Sequence, residues 1–170
     1  YINGRGELLK AGGRVVKNVS GYDLPRALCG SWGTLAILTE ITIKVVPKAR
    51  AVAQNAPGLD AVWASPFVWR VSLPRDRASA LLAGWSGASA QQWSGSLVWL
   101  GADAAGANDI HERAAALGGH ALLVQSPDEH RREHDCFQPL STGVQALQRQ
   151  VKAAFDPGHR FNPGRMYKDL

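Results

Sequence analysis

The stretch from Gly12 to Pro47, GGRVVKNVSGYDLPRALCGSWGTLAILTEITIKVVP, constrains this chain more than any other. It holds a Lys17-Asn18 pair, a Gly21-Tyr22-Asp23-Leu24 turn, a Gly30-Ser31-Trp32-Gly33-Thr34-Leu35 turn and one long alternating run. Glycines set this closely let backbone approach what a Cβ would exclude. Neighbouring N–H groups in such turns can cradle an anion or a flat polar ligand. From Leu35 onward, Leu35, Ile37, Thr39, Ile41, Ile43 and Val45 share one face, and Ala36, Leu38, Glu40, Thr42 and Lys44 the other. Period two predicts a strand with one buried face, ended by Pro47.

The flanks carry further punctuation. Asn3-Gly4-Arg5-Gly6 between two apolar pairs predicts a hairpin, because Asn-Gly accepts the positive φ of a tight turn. Val15-Val16 reads as a short strand. Asp23 is placed to cap a short helix with Pro25 in its first turn, and Gly30 to end it. Residues 48–66 show no period and read as a linker or boundary. Strands are expected at Phe67 to Leu73, Trp93 to Leu100 and His120 to Gln125. Helices are expected at Ala78 to Trp85, Asn108 to Leu117 and about 143–155. The last of these puts Val144, Leu147, Val151 and Phe155 on one stripe. Residues 126–142 read as a polar loop. The organisation expected is residues 1–48, a linker 49–66, an α+β region 67–142, and a helix and tail 143–170 that return to the first region.

Composition narrows the function classes. Of 170 residues 45% are hydrophobic, enough for a core, and 19% are charged, too few for a disordered tail. The net charge is +5, but the basic residues are scattered, which argues against nucleic acid. Cys29 and Cys136 do not make a disulfide framework and suit a reduced, cytoplasmic setting. No apolar run approaches a membrane span. The chain opens on Tyr1 as if already inside a strand, and is expected to be the remnant of a longer protein.

Three segments taken together, KNVSGYDLPRALCGSWGTL, WRVSLP with GGHALL, and FDPGHRFNPGRMY, resemble the FAD-binding subunit of bacterial glycolate oxidase. That family is part of the flavoprotein superfamily typified by vanillyl-alcohol oxidase. The matches keep the family's order from near residue 1 to 170. The resemblance implies an α+β fold, part of a PCMH-type FAD-binding subdomain plus a truncated ferredoxin-like cap. It implies non-covalent FAD. The residues it assigns to the cofactor are Lys17, Asn18, Gly21, Tyr22, Asp23, Gly30, Ser31, Gly33, Thr34, Asn162 and Arg165, with Ile37 contacting it through its backbone. The implied partners are a catalytic flavoprotein subunit and an iron–sulfur subunit, with at most peripheral membrane association through that complex. The implied reaction is oxidation of glycolate to glyoxylate. Three departures mark the chain as a shortened second half. The pyrophosphate-binding subdomain is missing, Ala36 replaces a glycine of the usual GTLG, and the segment between the KVVP and WRVSLP strands is short. A cofactor-free docking module and an incomplete fragment of the same subunit are the alternative readings.

Other candidate residues lie outside these segments or have two readings. Arg70 could clamp a carboxylate bidentately, or be a surface or interface arginine. His120 could take a hydroxyl proton, or satisfy a local backbone group. His130, His134 and Cys136 have a metal-like spacing without a fourth ligand, so a solvated cluster is the expectation and no metal site. Trp32 could stack on the cofactor or pack against a partner subunit.

Overall fold

The computed structural model describes residues 1–13, 21–45, 56–103 and 109–169. They divide into two compact units, Lys48–Pro139 and the pairing of Tyr1–Pro47 with Leu140–Leu170. The expected strand at Val15-Val16 lies outside the described residues.

The Lys48–Pro139 unit is built on a four-stranded antiparallel sheet. Its strands are β1 (Phe67–Ser72), β2 (Ala88–Gln92), β3 (Leu97–Ala102) and β4 (His120–Gln125), in the order β2-β3-β1-β4. Helix α3 (Ala78–Leu82) follows β1, and α4 (Ile110–Ala116) follows β3. This succession and strand order are those of a βαββαβ unit with all four strands present. The sequence predicts a truncated unit because the segment between the KVVP and WRVSLP strands is short, and it misses β2, Ala-Ser-Ala-Gln-Gln, which lacks the β-branched and aromatic residues that announce a strand. The strand expected from Trp93 begins only at Leu97, since Trp93–Gly95 form a 3₁₀ turn with Trp93 and Ser94 at positive φ.

Alternation along β1 divides two cores. Phe67, Trp69 and Val71 pack with Val98, Leu100, Leu123, α3 and α4 on one face. Val68 points to the other face, where it meets Ala90 and Val62 of α2 (Leu59–Trp63). Helix α2 lies within the stretch expected to be linker; its five residues are too few for periodicity to reveal. The expected polar loop likewise holds α5 (Asp128–Glu133). Beyond α5 the chain returns to β4, where Phe137 bridges Leu122 and Leu123 N–H donates to Cys136 O at 2.8 Å.

The described residues of the second unit include little regular structure. Its opening hairpin is real, with an Ile2–Leu8 bridge. The positive φ falls on Gly6 rather than on Asn3-Gly4, and Asn3 N–H donates to Glu7 O, as in a three-residue loop closed by a left-handed glycine. Helix α1 (Leu24–Leu28) carries the expected cap, Asp23 accepting from Arg26 N–H at 3.2 Å, with Pro25 in the first turn. Helix α6 (Thr142–Phe155) packs only the end of its stripe: Val151 and Phe155 meet Leu28, Leu35 and Ala36, whereas Val144 and Leu147 are exposed.

The strand predicted from Leu35 to Val45 does not form. Only Ile37 bridges, to Ile2, and Ile41, Ile43 and Val45 are 65%, 75% and 83% exposed. A strand is completed by its neighbours' hydrogen bonds. Among the described residues this run forms its β-bridge at Ile37 alone.

Candidate functional site

The Gly30–Leu35 turn leaves α1 and doubles back. Ser31 Oγ donates to Leu28 O at 2.8 Å and Thr34 Oγ1 to Ser31 O at 2.7 Å, so both buried hydroxyls are used to close the turn. Against it lies the tail after α6. Asn162 Nδ2 donates to Trp32 O at 3.2 Å and Gly33 O at 3.3 Å. The Arg165 guanidinium sits 5.9 Å from the Trp32 ring centre, a cation–π distance. Turn and tail, some 130 residues apart in sequence, thus meet.

They enclose a cleft of about 430 Å³. Ser31, Gly33, Ala36, Ile37 and Leu38 line one side, and Arg160, Phe161 and Asn162 the other. The lining combines apolar wall, glycine backbone, one amide and one guanidinium. Such a surface suits a flat ligand with polar edges and some negative charge. A Cβ at Gly33 would stand 2.8 Å from the movable Asn162 Nδ2, so what calls for glycine here is chiefly its φ of +71°.

A buried ion pair stands behind these walls. Lys152 Nζ donates to Asp156 Oδ2, Thr34 O and Phe161 O, each at 2.7 Å. Asp156 Oδ2 also accepts from Phe161 N–H at 2.8 Å. Burial works against the charged carboxylate. The hydrogen bonds from Lys152, Phe161 N–H and Arg160 N–H and the lysine's charge outweigh it and hold the carboxyl below its ordinary range. The hairpin reaches this point too: a Cβ at Gly4 would lie 2.3 Å from Asp156 Oδ1.

Of the predicted residues, Ser31, Gly33, Ile37 and Asn162 line the cleft, and Gly30, Thr34 and Arg165 adjoin them through the turn and Trp32. The Ile37 backbone N–H and C=O are both paired with Ile2. Gly21, Tyr22 and Asp23 are not brought there: Tyr22 is 93% exposed and Asp23 caps α1. Lys17 and Asn18 lie outside the described residues.

Arg70 and His120 belong to the sheet unit. Arg70 is half-buried in β1, with Trp99 and Leu122 as cross-strand neighbours, and His120 is exposed opposite Ser72. His130 and His134 stack with ring centres 4.2 Å apart and planes within 7°. In-plane lone pairs of parallel rings do not converge on one ion. No group of three metal-ligating side chains occurs among the described residues. Sequence reasoning missed Lys152, Asp156 and Arg160. The i, i+4 spacing of the first two on α6 was the available signal.

No family model and no solved structure matches the chain. Among curated proteins it is 32% identical to glycolate oxidase subunit GlcE of Escherichia coli, over 99% of this chain and 64% of that protein. The chain thus spans less than two thirds of this relative's length. That alignment runs over 234 positions, more than this chain's 170 residues, so the relative carries residues inside the matched span that this chain lacks. A shorter match, 51% identical over 43 residues, links 25% of the chain to 9% of glycolate oxidase subunit GlcD of Bacillus subtilis. An uncharacterized FAD-linked oxidoreductase of Mycobacterium tuberculosis is 46% identical over 43 residues, 25% of this chain and 9% of that protein. The chain is similar to glycolate oxidase subunit GlcE along nearly its whole length, the resemblance its three segments indicated.

Proposed function

We propose that this chain is the flavin-holding portion of a subunit in a glycolate-oxidising complex, with non-covalent FAD as its cofactor. The observation that supports this most is the meeting of the glycine turn and the NPGR tail around one cleft. The residues present fit part of such a group. Ala36, Ile37, Leu38 and Phe161 offer apolar surface to a flat ring, and Arg160 offers donors to polar edges or negative charge. The chemistry FAD supplies when bound is two-electron oxidation of a 2-hydroxy acid to the 2-oxo acid. This chain's own part is to bind and orient. In this reading the groups that grip the substrate and take its proton are assigned to a partner flavoprotein chain. Electrons would leave toward an iron–sulfur partner. No helix among the described residues is long and apolar enough to cross a membrane. In this reading any membrane association is peripheral and runs through the complex.

Adding FAD to the purified chain and following flavin fluorescence and the visible spectrum tests the reading. Saturable binding at micromolar levels supports it. A folded chain that leaves the flavin unquenched at every concentration contradicts it. The docking-module reading, which the exposed run Ile37 to Val45 favours, would then take its place.

A further inference from the structure

The cleft's two walls are joined at one buried point, the ammonium of Lys152. An ammonium has three donors, and here each goes to a different piece of structure: the turn at Thr34 O, the tail at Phe161 O, and Asp156 of its own helix end. Asp156 completes the arrangement by accepting Phe161 N–H, so both polar groups of the Phe161 backbone are held. Arg160 and Asn162, either side of Phe161, are thereby presented to the cleft.

We propose that Lys152, oriented by Asp156, is the positioning residue of this cleft. One ammonium sets the spacing between glycine turn and tail, and hence the shape a flavin meets. The inference takes the flavin reading of the cleft as its premise. Its physical basis is the cost of the arrangement. Lys152 and Asp156 have side chains only 3% and 0% exposed. Desolvating two charges is expensive, and replacing such a pair by apolar side chains of similar volume is often neutral or stabilising. Desolvation thus weighs against the charged pair, and what it supplies in return are the bonds to Thr34 O, Phe161 O and Phe161 N–H. Apolar side chains cannot hold two carbonyls from different segments at a fixed separation, and the ammonium does.

The test is native-state hydrogen exchange and FAD titration on the full chain and on K152M/D156L. The double variant is expected to leave the sheet unit's melting unchanged and to loosen the turn and tail, where Thr34 O, Phe161 O and Phe161 N–H lose these partners. Its amides at Thr34–Ile37 and Phe161–Asn162 exchange faster, and its FAD affinity falls, each by about tenfold or more. A double variant with unchanged exchange and unchanged affinity overturns the proposal. Should the double variant not fold, exchange in the unaltered chain decides. One joint opening of both walls supports the latch, and separate openings with different protection overturn it. If the unaltered chain binds no flavin, the proposed function fails while the exchange result still judges the latch.

Discussion

In the sheet unit the largest sealed side chains are Val62, Val68, Val71, Leu81, Val98, Leu100 and Ile110, all aliphatic; in the turn-and-tail unit the corresponding side chain is Asp156. The first unit is held by apolar area between a sheet and helices on both faces. Such burial is non-directional, and it tolerates repacking when volume is kept. The second has a small apolar cluster, Leu28, Leu35 and Ala36 with Tyr1, Val151 and Phe155, and depends on directed bonds between distant segments. Directed bonds fix geometry tightly and fail abruptly when one partner is lost. The cleft belongs to the unit built that way.

Substitutions should separate the two modes. Lys152→Met alone leaves a buried, unpaired carboxylate and should cost about 3–5 kcal/mol. Denaturation followed through Trp32 in the turn should show the loss. Leu100→Ala in β3 should cost about 2–5 kcal/mol through its cavity, read from loss of the sheet's circular dichroism. If Lys152→Met is as mild as a surface change, the contrast between the units is wrong. Gly33→Ala places a Cβ at positive φ and against a movable amide, and should cost roughly 1–2 kcal/mol. Asn162→Ala removes two long, exposed hydrogen bonds and should cost no more than about 1 kcal/mol, yet weaken FAD binding measurably.

Acid distinguishes the units by the pH at which each loosens. Burial, only partly offset by backbone bonds to Cys136 and Ala121, pushes the His111 imidazole below its ordinary value. Its contribution is therefore present above the ordinary histidine pKa and lost as pH falls through the lower native one. Asp156, also depressed, contributes above the ordinary carboxylate range and loses this only as pH falls through its own lower value. Melting followed across pH should show the sheet unit softening first, in mild acid. His111→Gln should reduce the first step, leaving the share of His130, which burial and the neighbouring His134 also push below its ordinary value, and Asp156→Asn should remove the second.

The legible parts of this molecule were those with local punctuation. Asp23 and Pro25 announced α1, and β1, α4 and β4 stood out by period. Small elements of bland composition, α2 and β2, escaped for want of that contrast. The run from Leu35 to Val45 misled because alternation predicts a strand's face but not its partner. In the site, glycine spacing pointed to the turn and the NPGR motif to the tail. What tied them, Lys152 to Thr34 across 118 residues, has no local signature. A lysine on a helix is ordinarily solvated, and only the fold reveals that this one is not.

The most direct test of the central claim is a residue-resolved map of amide chemical shifts as FAD is added to the full chain. The account predicts shifts concentrated at Gly30–Leu38 and Arg160–Arg165, the two sides of one cleft. Saturation with neither segment shifting would contradict it.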